Sequence, residues 1–364
     1  MGIDRTGRRE RTIKGRGLTA NPEGRFETWR REAFDDGWGT LEEPAGEPPP
    51  ATEILVDAAR TVITRNDSPD VPFEQSINPY RGCEQGCVYC YARPTHNYLG
   101  LSSGLDFETR IFAKREAAEL LRRELARPGY RCRPIALGTS TDVYQPVERR
   151  LGITRRLLEL LAACRHPVGI VTKSALVLRD LDILAAMAAD GLASVMVSIT
   201  TRDPVLARRM EPRAAAPHRR FATLRILAEA GVPCGVMVAP VVPALTDHEL
   251  EPILEAAAAA GATAAGYVLL RLPHDLGELF DAWLTAHYPA RRRHVLALLR
   301  QCRGGRLDDP VFGRRMRGTG PYADLLDRRF AVACRRLGLS PRALPARCDL
   351  FRPPRPDGQL DLFG

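Results

Sequence analysis

The chain predicts an α/β fold, a parallel sheet assembled from strand–helix units, and three observations carry that prediction. Between residues 114 and 270, short uninterrupted apolar runs alternate with amphipathic stretches of helical length, the pattern of strands buried on both faces by crossover helices. Small polar clusters stand where the apolar runs end, as they do at the C-terminal rim of a sheet that carries a site. Right-handed crossovers roll such units into a barrel or an open, doubly wound sheet. The periodicity alone does not choose between the two.

The elements follow in order. A helix is expected from Lys114 to Ala126, with Leu120, Leu121 and Leu125 on one face. The run Ile135-Ala136-Leu137-Gly138 reads as a buried strand, Ile153 to Cys164 as a helix, and Val168 to Thr172 as the next strand. Asp180 to Ala189 is helical, Ser194 to Ile199 a strand, and His218 to Ala230 a helix that passes through Gly231 into the strand Gly235 to Ala239. Asp247 to Ala259 follows as a helix with Thr246 at its N-cap, and Tyr267 to Leu270 closes the series. Beyond Arg271 the alternation stops. His274 to His287, Arg291 to Cys302 and Tyr322 to Leu337 read as helices that cap or flank the sheet. The domains expected are a basic arm and linker over 1–50, the α/β body over 51–272 with a cysteine loop at 83–90, a helical region over 273–340 and a proline-rich tail over 341–364.

The cysteine loop is Arg81-Gly82-Cys83-Glu84-Gln85-Gly86-Cys87-Val88-Tyr89-Cys90-Tyr91. Three thiols in so short a span converge on one centre, and thiolates select zinc, copper(I) or an iron–sulfur cluster. Clusters and structural zinc sites normally close with four protein ligands, so three leave a position open. A structural zinc completed by His96 is the bland alternative. Nine cysteines, an odd number, in a long chain whose polar, arginine-rich start has no apolar signal segment argue against a disulfide scaffold and for a reducing, cytoplasmic setting. The other six (Cys132, Cys164, Cys234, Cys302, Cys334, Cys348) are scattered without cluster spacing and read as apolar filler.

Cys83-x3-Cys87-x2-Cys90, with Tyr89 before the last cysteine, resembles the signature loop of the radical S-adenosylmethionine (radical SAM) superfamily. Ser76-Ile77-Asn78-Pro79-Tyr80-Arg81-Gly82-Cys83 is similar to its spore photoproduct lyase-related branch, and by motif order the resemblance runs from about residue 73 to about 270. The resemblance, not the periodicity, chooses a partial (β/α)6 TIM-type barrel, with an N-terminal basic arm and a C-terminal helical extension. It implies that Cys83, Cys87 and Cys90 hold a [4Fe–4S] cluster whose fourth iron binds S-adenosylmethionine. One-electron cleavage there yields methionine and a 5′-deoxyadenosyl radical that abstracts hydrogen from the substrate. A one-electron donor of flavodoxin or ferredoxin type is implied as a partner.

The resemblance also implies roles at the rim. Tyr89 falls where the family's aromatic packs near the adenine. Thr139, Ser140 and Asp142, in the Gly138–Asp142 turn, are placed to meet the cofactor's amino group, although the same turn reads as a strand-to-helix connection with an N-cap. Lys173 stands out on residue grounds: of 53 basic residues only Lys14, Lys114 and Lys173 are lysines, and this one follows a strand. It is expected to meet the cofactor's carboxylate or a substrate phosphate. Ser198 matches a position contacting the cofactor ribose or carboxylate. Glu211 and Arg220, in a segment like the branch's Glu-Pro…Arg, are expected to bracket the cofactor. One position departs from the branch: spore photoproduct lyase carries a hydrogen-donating cysteine after its second strand, whereas this chain has Thr139-Ser140-Thr141. A direct thymine-dimer lyase mechanism therefore needs another donor, such as Tyr144 or Cys234.

The net charge of +9 favours an acidic partner, DNA or RNA, although the arginine-for-lysine skew also fits solvated helix faces. No apolar stretch reaches the length of a membrane span. The terminal Gln359-Leu360-Asp361-Leu362-Phe363 resembles the short peptide by which bacterial repair proteins bind the DNA sliding clamp. The expectation is a radical SAM enzyme acting on nucleic acid, with DNA repair as its setting. The rivals are a radical SAM enzyme acting on a protein or small metabolite, and a zinc-bearing nucleic-acid-binding module.

Overall fold

The structure is a computed structural model, and it describes residues 13–26, 50–341 and 346–354. Its centre is a sheet of seven strands among the described residues. Six of them are named here: β1 (Gln75–Ile77), β2 (Ile135–Leu137), β3 (Val168–Thr172), β4 (Ala193–Ser198), β5 (Cys234–Val241) and β6 (Ala264–Leu269). Each pairs in parallel with the next along the chain, and the strand Ile63–Arg65 flanks β1 antiparallel. Spatial order equal to chain order, with at least one helix in every crossover, is the topology of a barrel. A doubly wound sheet reverses direction part-way, so the partial (β/α)6 barrel holds.

The helices are α1 (Ala117–Leu125), α2 (Ile153–Ala163), α3 (Leu181–Ala189), α4 (Pro217–Glu229) and α5 (Leu250–Ala259). Alternate strand residues (Val168, Ile170, Val195, Val197, Val236, Val238) are fully buried with Leu121, Leu157, Leu161, Leu184, Leu224 and Leu254 of these helices. Each such side chain contributes about 1.5–3 kcal/mol of burial. On the other side of the sheet, Gly235 and Gly266 make room for thioethers. A Cβ on Gly235 would lie 2.6 Å from the Met196 sulfur, and one on Gly266 2.9 Å from the Met237 methyl.

Several expectations need correction. The first strand, Gln75–Ile77, sits inside what reads as motif. It is three residues long and carries two polar side chains, so no apolar run announces it. The helix expected from Lys114 begins at Ala117, because Arg110–Ala113 is a strand and Lys114 instead donates from its amine to the Asn78 carbonyl (2.9 Å). Thr246 does not cap its helix: its hydroxyl accepts from the Val242 amide (2.8 Å), and a 3-10 turn over Asp247–Glu249 precedes α5.

Past the barrel, α6 (Leu276–His287), α7 (Pro289–Cys302) and α8 (Pro321–Leu337) form as expected. Phe280, Trp283, Leu284, Val295 and Leu299 of α6 and α7 share one apolar cluster with Cys87, Val88 and Tyr89 of the cysteine loop. The helical region is thus a wall of the site. The arm contributes to it: Leu18 is buried in the same cluster, and the Gly17 and Leu18 amides donate to the Glu108 carboxylate (2.9 and 3.2 Å). The arm's Trp29, Phe34 and Trp38 and the terminal Gln359–Phe363 lie outside the described residues. Among the described residues no helix is long and apolar enough to cross a membrane.

Candidate active site at the C-terminal rim

The cysteine loop is held by the buried polar side chains of Arg93 and Gln145. Arg93, fully buried, donates to the Cys87 carbonyl (2.8 Å), to the Ser103 and Gly104 carbonyls (3.1 and 2.8 Å) and to Glu108 (2.5 Å). Gln145 donates to the Gly82 carbonyl (3.2 Å) and accepts from the Glu84 amide (2.9 Å). Gly82 and Gly86 have φ of +78° and +66°, a left-handed backbone that glycine adopts without strain. A Cβ on Gly86 would stand 2.6 Å from the Glu108 carboxylate.

The thiols of Cys83, Cys87 and Cys90 are free and close enough to act on one another electrostatically. Burial, the Asp142 carboxylate and the Cys87 thiol push the Cys83 thiol well up. Burial pushes Cys87 up to about 12, against the pull of Lys173. Among the described residues no group of three or more His, Cys, Asp or Glu side chains converges on a single metal ion. His96 is held beside the cysteine loop. Its Nε2 pairs with the Arg110 carbonyl (3.0 Å), its ring lies edge-on to Phe107 and Phe112, and burial lowers its pKa to about 4. Its Nδ1 is buried and without a hydrogen-bond partner among the described residues.

Asp142 braces the rim. Its carboxylate accepts from Gln85 Nε2 (2.6 Å), the Tyr144 amide (2.9 Å), the Thr172 hydroxyl (2.7 Å) and the Lys173 amide (2.7 Å). Four donors fill it, so it ties the cysteine loop to the ends of β2 and β3. Thr139 and Ser140 are clasped by Asn78, which donates to the Thr139 hydroxyl (2.9 Å) and accepts from the Ser140 amide (2.9 Å). The Tyr91 hydroxyl donates to the Thr139 carbonyl, and the Arg271 guanidinium lies 5.0 Å over the Tyr91 ring.

Lys173 places its amine 5.8 Å over the Tyr89 ring. Burial alone would lower its pKa, but Cys87 and Glu211 outweigh that and raise it, so the amine is a cation. Among the described residues it has no hydrogen-bond acceptor, and a carboxylate entering the rim meets a charge already in place. Behind it, Glu211 and Arg220 form a buried ion pair. Glu211 also accepts from the Tyr89 hydroxyl and from Thr200 (2.7 Å), while Arg220 donates to the carbonyls of Ala215 (2.7 Å) and Ser198 (3.1 Å). Glu211 and Arg220 thus bracket Tyr89 and each other, and Ser198 meets the network through its carbonyl.

All eleven residues expected at the site lie at the C-terminal ends of β1 to β4 or on the segments that follow, as that rim requires. Asn78, Arg93, Glu108, Gln145 and Tyr91 join them without having been singled out. Only Asn78 and Tyr91 carried a signal, through adjacency to the motif. Neither proposed substitute hydrogen donor is available: Cys234 starts β5 at the opposite end, its thiol toward the Leu224 and Gly261 carbonyls (3.6 and 3.8 Å), and the buried Tyr144 donates to Asp180 (3.1 Å). Of the scattered cysteines, Cys132 and Cys348 are only partly buried, and burial, with Cys348 nearby, pushes the Cys132 thiol up.

The donor set fits an iron–sulfur cluster with three protein ligands: three thiols in one short loop, with the Lys173 cation close to Cys87. Comparison with known proteins agrees. An uncharacterised protein of Mycobacterium tuberculosis (strain H37Rv) is 42% identical over 239 residues, 65% of this chain and 70% of the relative. An uncharacterised protein of Methanocaldococcus jannaschii is 28% identical over 200 residues, 54% of this chain and 71% of the relative. Among solved structures, a spore photoproduct lyase mutant with bound AdoMet and dinucleoside spore photoproduct superposes with a TM-score of 0.58 at 17% identity, over 80% of this chain and 82% of that one. The same lyase complexed with the dinucleoside photoproduct gives 0.57 at 18%, over 79% and 80%. At such identities these neighbours bear on the fold. The Radical SAM superfamily model matches residues 77–257, from the end of β1 into α5. The chain belongs to the radical SAM superfamily, whose enzymes use a [4Fe–4S] cluster and S-adenosylmethionine.

Proposed function

We propose that this radical SAM enzyme acts on nucleic acid, in a repair-like hydrogen abstraction. The single observation that carries the radical chemistry is the thiol triplet with the uncommitted Lys173 cation beside it. When bound, the cluster and S-adenosylmethionine supply one-electron cleavage of the cofactor to a carbon radical. The chain's residues do the rest. Cys83, Cys87 and Cys90 hold the cluster, and Lys173 takes the cofactor's carboxylate. Tyr89, pinned by Glu211, offers a ring face beside the site. Thr139, Ser140 and Ser198 line the rim, Asp142 holds their strand ends in register, and α6 and α7 exclude water. Nucleic acid is favoured as substrate by the net charge of +9 and by the neighbour that binds a dinucleoside photoproduct. The chain's turn at Thr139–Thr141 has no thiol, so the product radical is quenched otherwise than by a cysteine there.

A flavodoxin- or ferredoxin-type protein supplies the electron in this reading, and Gln359–Phe363 anchors the enzyme to a sliding clamp. Displacement of a clamp-bound peptide tests the anchor, and a Phe363→Ala chain that displaces as well as the parent defeats it. The substrate is tested by deuterium transfer. Anaerobically reconstituted protein, reduced with dithionite, should form deuterated 5′-deoxyadenosine from a deuterated oligonucleotide, and Cys87→Ala should form none. Transfer from peptides but from no oligonucleotide excludes the nucleic-acid reading.

A further inference from the structure

A cavity of about 630 Å³ opens beside the cysteine loop, and its walls hold none of the three cysteines and neither Thr139, Lys173 nor Ser198. Three segments build it: the arm near Lys14 and Arg16, the linker at Pro50–Thr52, and the rim turn at Pro146–Arg150. Glu84, the residue after Cys83, and Arg213 close it on the barrel side. Five cations therefore face one carboxylate.

Part of this charge is spent within the wall. Arg213 pairs with Glu84 (3.1 Å), Thr52 donates to Glu84 (2.8 Å), and Arg16 and Arg213 both reach the Thr52 hydroxyl (3.3 Å each). Burial and then the proximity of Arg213 lower the pKa of Arg16, against the pull of Glu108 and Glu84, so the two guanidinium groups crowd each other. Lys14, Arg149 and Arg150 are exposed, and among the described residues their side chains have no hydrogen-bond acceptor or ion-pair partner. Like charges brought together without counter-charge oppose folding, unless an anion belongs among them.

Resting on the reading that the substrate is nucleic acid, we propose that this cavity binds the phosphodiester backbone of that substrate outside the reaction chamber. Guanidinium groups take phosphate oxygens in paired hydrogen bonds, and the volume is far larger than one phosphate requires. The walls carry no aromatic side chain, so no base stacks here. Contacts of this kind set register and orientation without reading sequence. Placed next to Cys83, they hold the strand against the rim while a nucleotide enters the site. A recess with a narrow basic lining suits a flexible strand better than the acidic face of a globular electron donor.

The test uses full-length reconstituted protein, a fluorescein-labelled single-stranded thymidine oligomer and its duplex, and anisotropy at 50–200 mM KCl. Arg149→Ser/Arg150→Ser should weaken binding roughly tenfold and make the slope of log K against log salt shallower by about two, regardless of sequence. Lys14→Ser, on the opposite wall, should make it shallower by about one. Both variants should keep the parent's circular dichroism and its dithionite-driven 5′-deoxyadenosine formation without substrate. Unchanged affinity and slope in both variants overturn the cavity while leaving the nucleic-acid reading intact. Failure of the parent to bind any oligomer overturns both. Intact oligomer binding with loss only of turnover driven by an acidic flavoprotein reductant gives the cavity to the electron donor and overturns the inference.

Discussion

At the scale of single residues, buried charge decides how well the site is held. The Glu211–Arg220 pair is almost wholly removed from water, and such a pair is costly to break because the survivor stays buried without its partner. Glu211→Gln should therefore destabilise the protein by about 3–5 kcal/mol, read as a lowered urea midpoint. Glu211→Gln/Arg220→Met, which removes both charges, should recover part of the loss. Equal loss in the two variants would mean that the pair contributes through packing alone. Residues at this scale were legible in the sequence when the motif fixed their neighbours. The spacing of the three cysteines marked a metal centre, and the family resemblance chose the cluster and singled out Tyr89. Gln145 and Arg93 did not declare themselves, because their partners are groups that only the fold brings near.

Among elements, the arm and the helices after the barrel are the least expected contributors. Leu18 seals the apolar cluster that backs Cys87 and Val88, and Glu108 binds both the arm's amides and Arg93. Opening this seal should expose the cluster to solvent. Leu18→Asp is thus expected to lose about 1.5–3 kcal/mol of local burial and to bleach about tenfold faster under a chelator, followed in the visible band, with far-ultraviolet circular dichroism unchanged. A bleaching rate equal to the parent's would show that the arm only rests on the surface. The helices themselves were legible from their period, whereas their docking on the cysteine loop was not. A helix's apolar stripe says that it packs, not against what.

For the whole molecule, two buried histidines link stability to pH. Burial lowers both His96 and His166 to about 4, against about 6.5 in an unfolded chain. Each is neutral in the fold, so its contribution is complete above about pH 6.5. It is lost progressively as pH falls and is gone below about pH 4. The loss is of the order of 3 kcal/mol per histidine. Urea unfolding between pH 7 and 4.5 should show the midpoint falling with proton uptake of up to two, and His166→Phe should reduce that uptake by about one. A flat midpoint across this range would refute the assignment. The barrel too belongs to this scale: parallel strands were readable one by one, but chain order became spatial order only in the folded sheet.

What the sequence by itself determined is therefore local: the thiol triplet, the alternation of strand and helix from β2 onward, and the polar rim. These depend on spacing and side-chain period, which a chain carries before it folds. What only the tertiary structure decided is which distant groups meet. The three-residue β1, the filled carboxylate of Asp142, the seal made by Leu18 and the basic cavity behind Glu84 all join segments separated by tens to hundreds of residues. Burial and charge act through distances in space, and no local pattern encodes those.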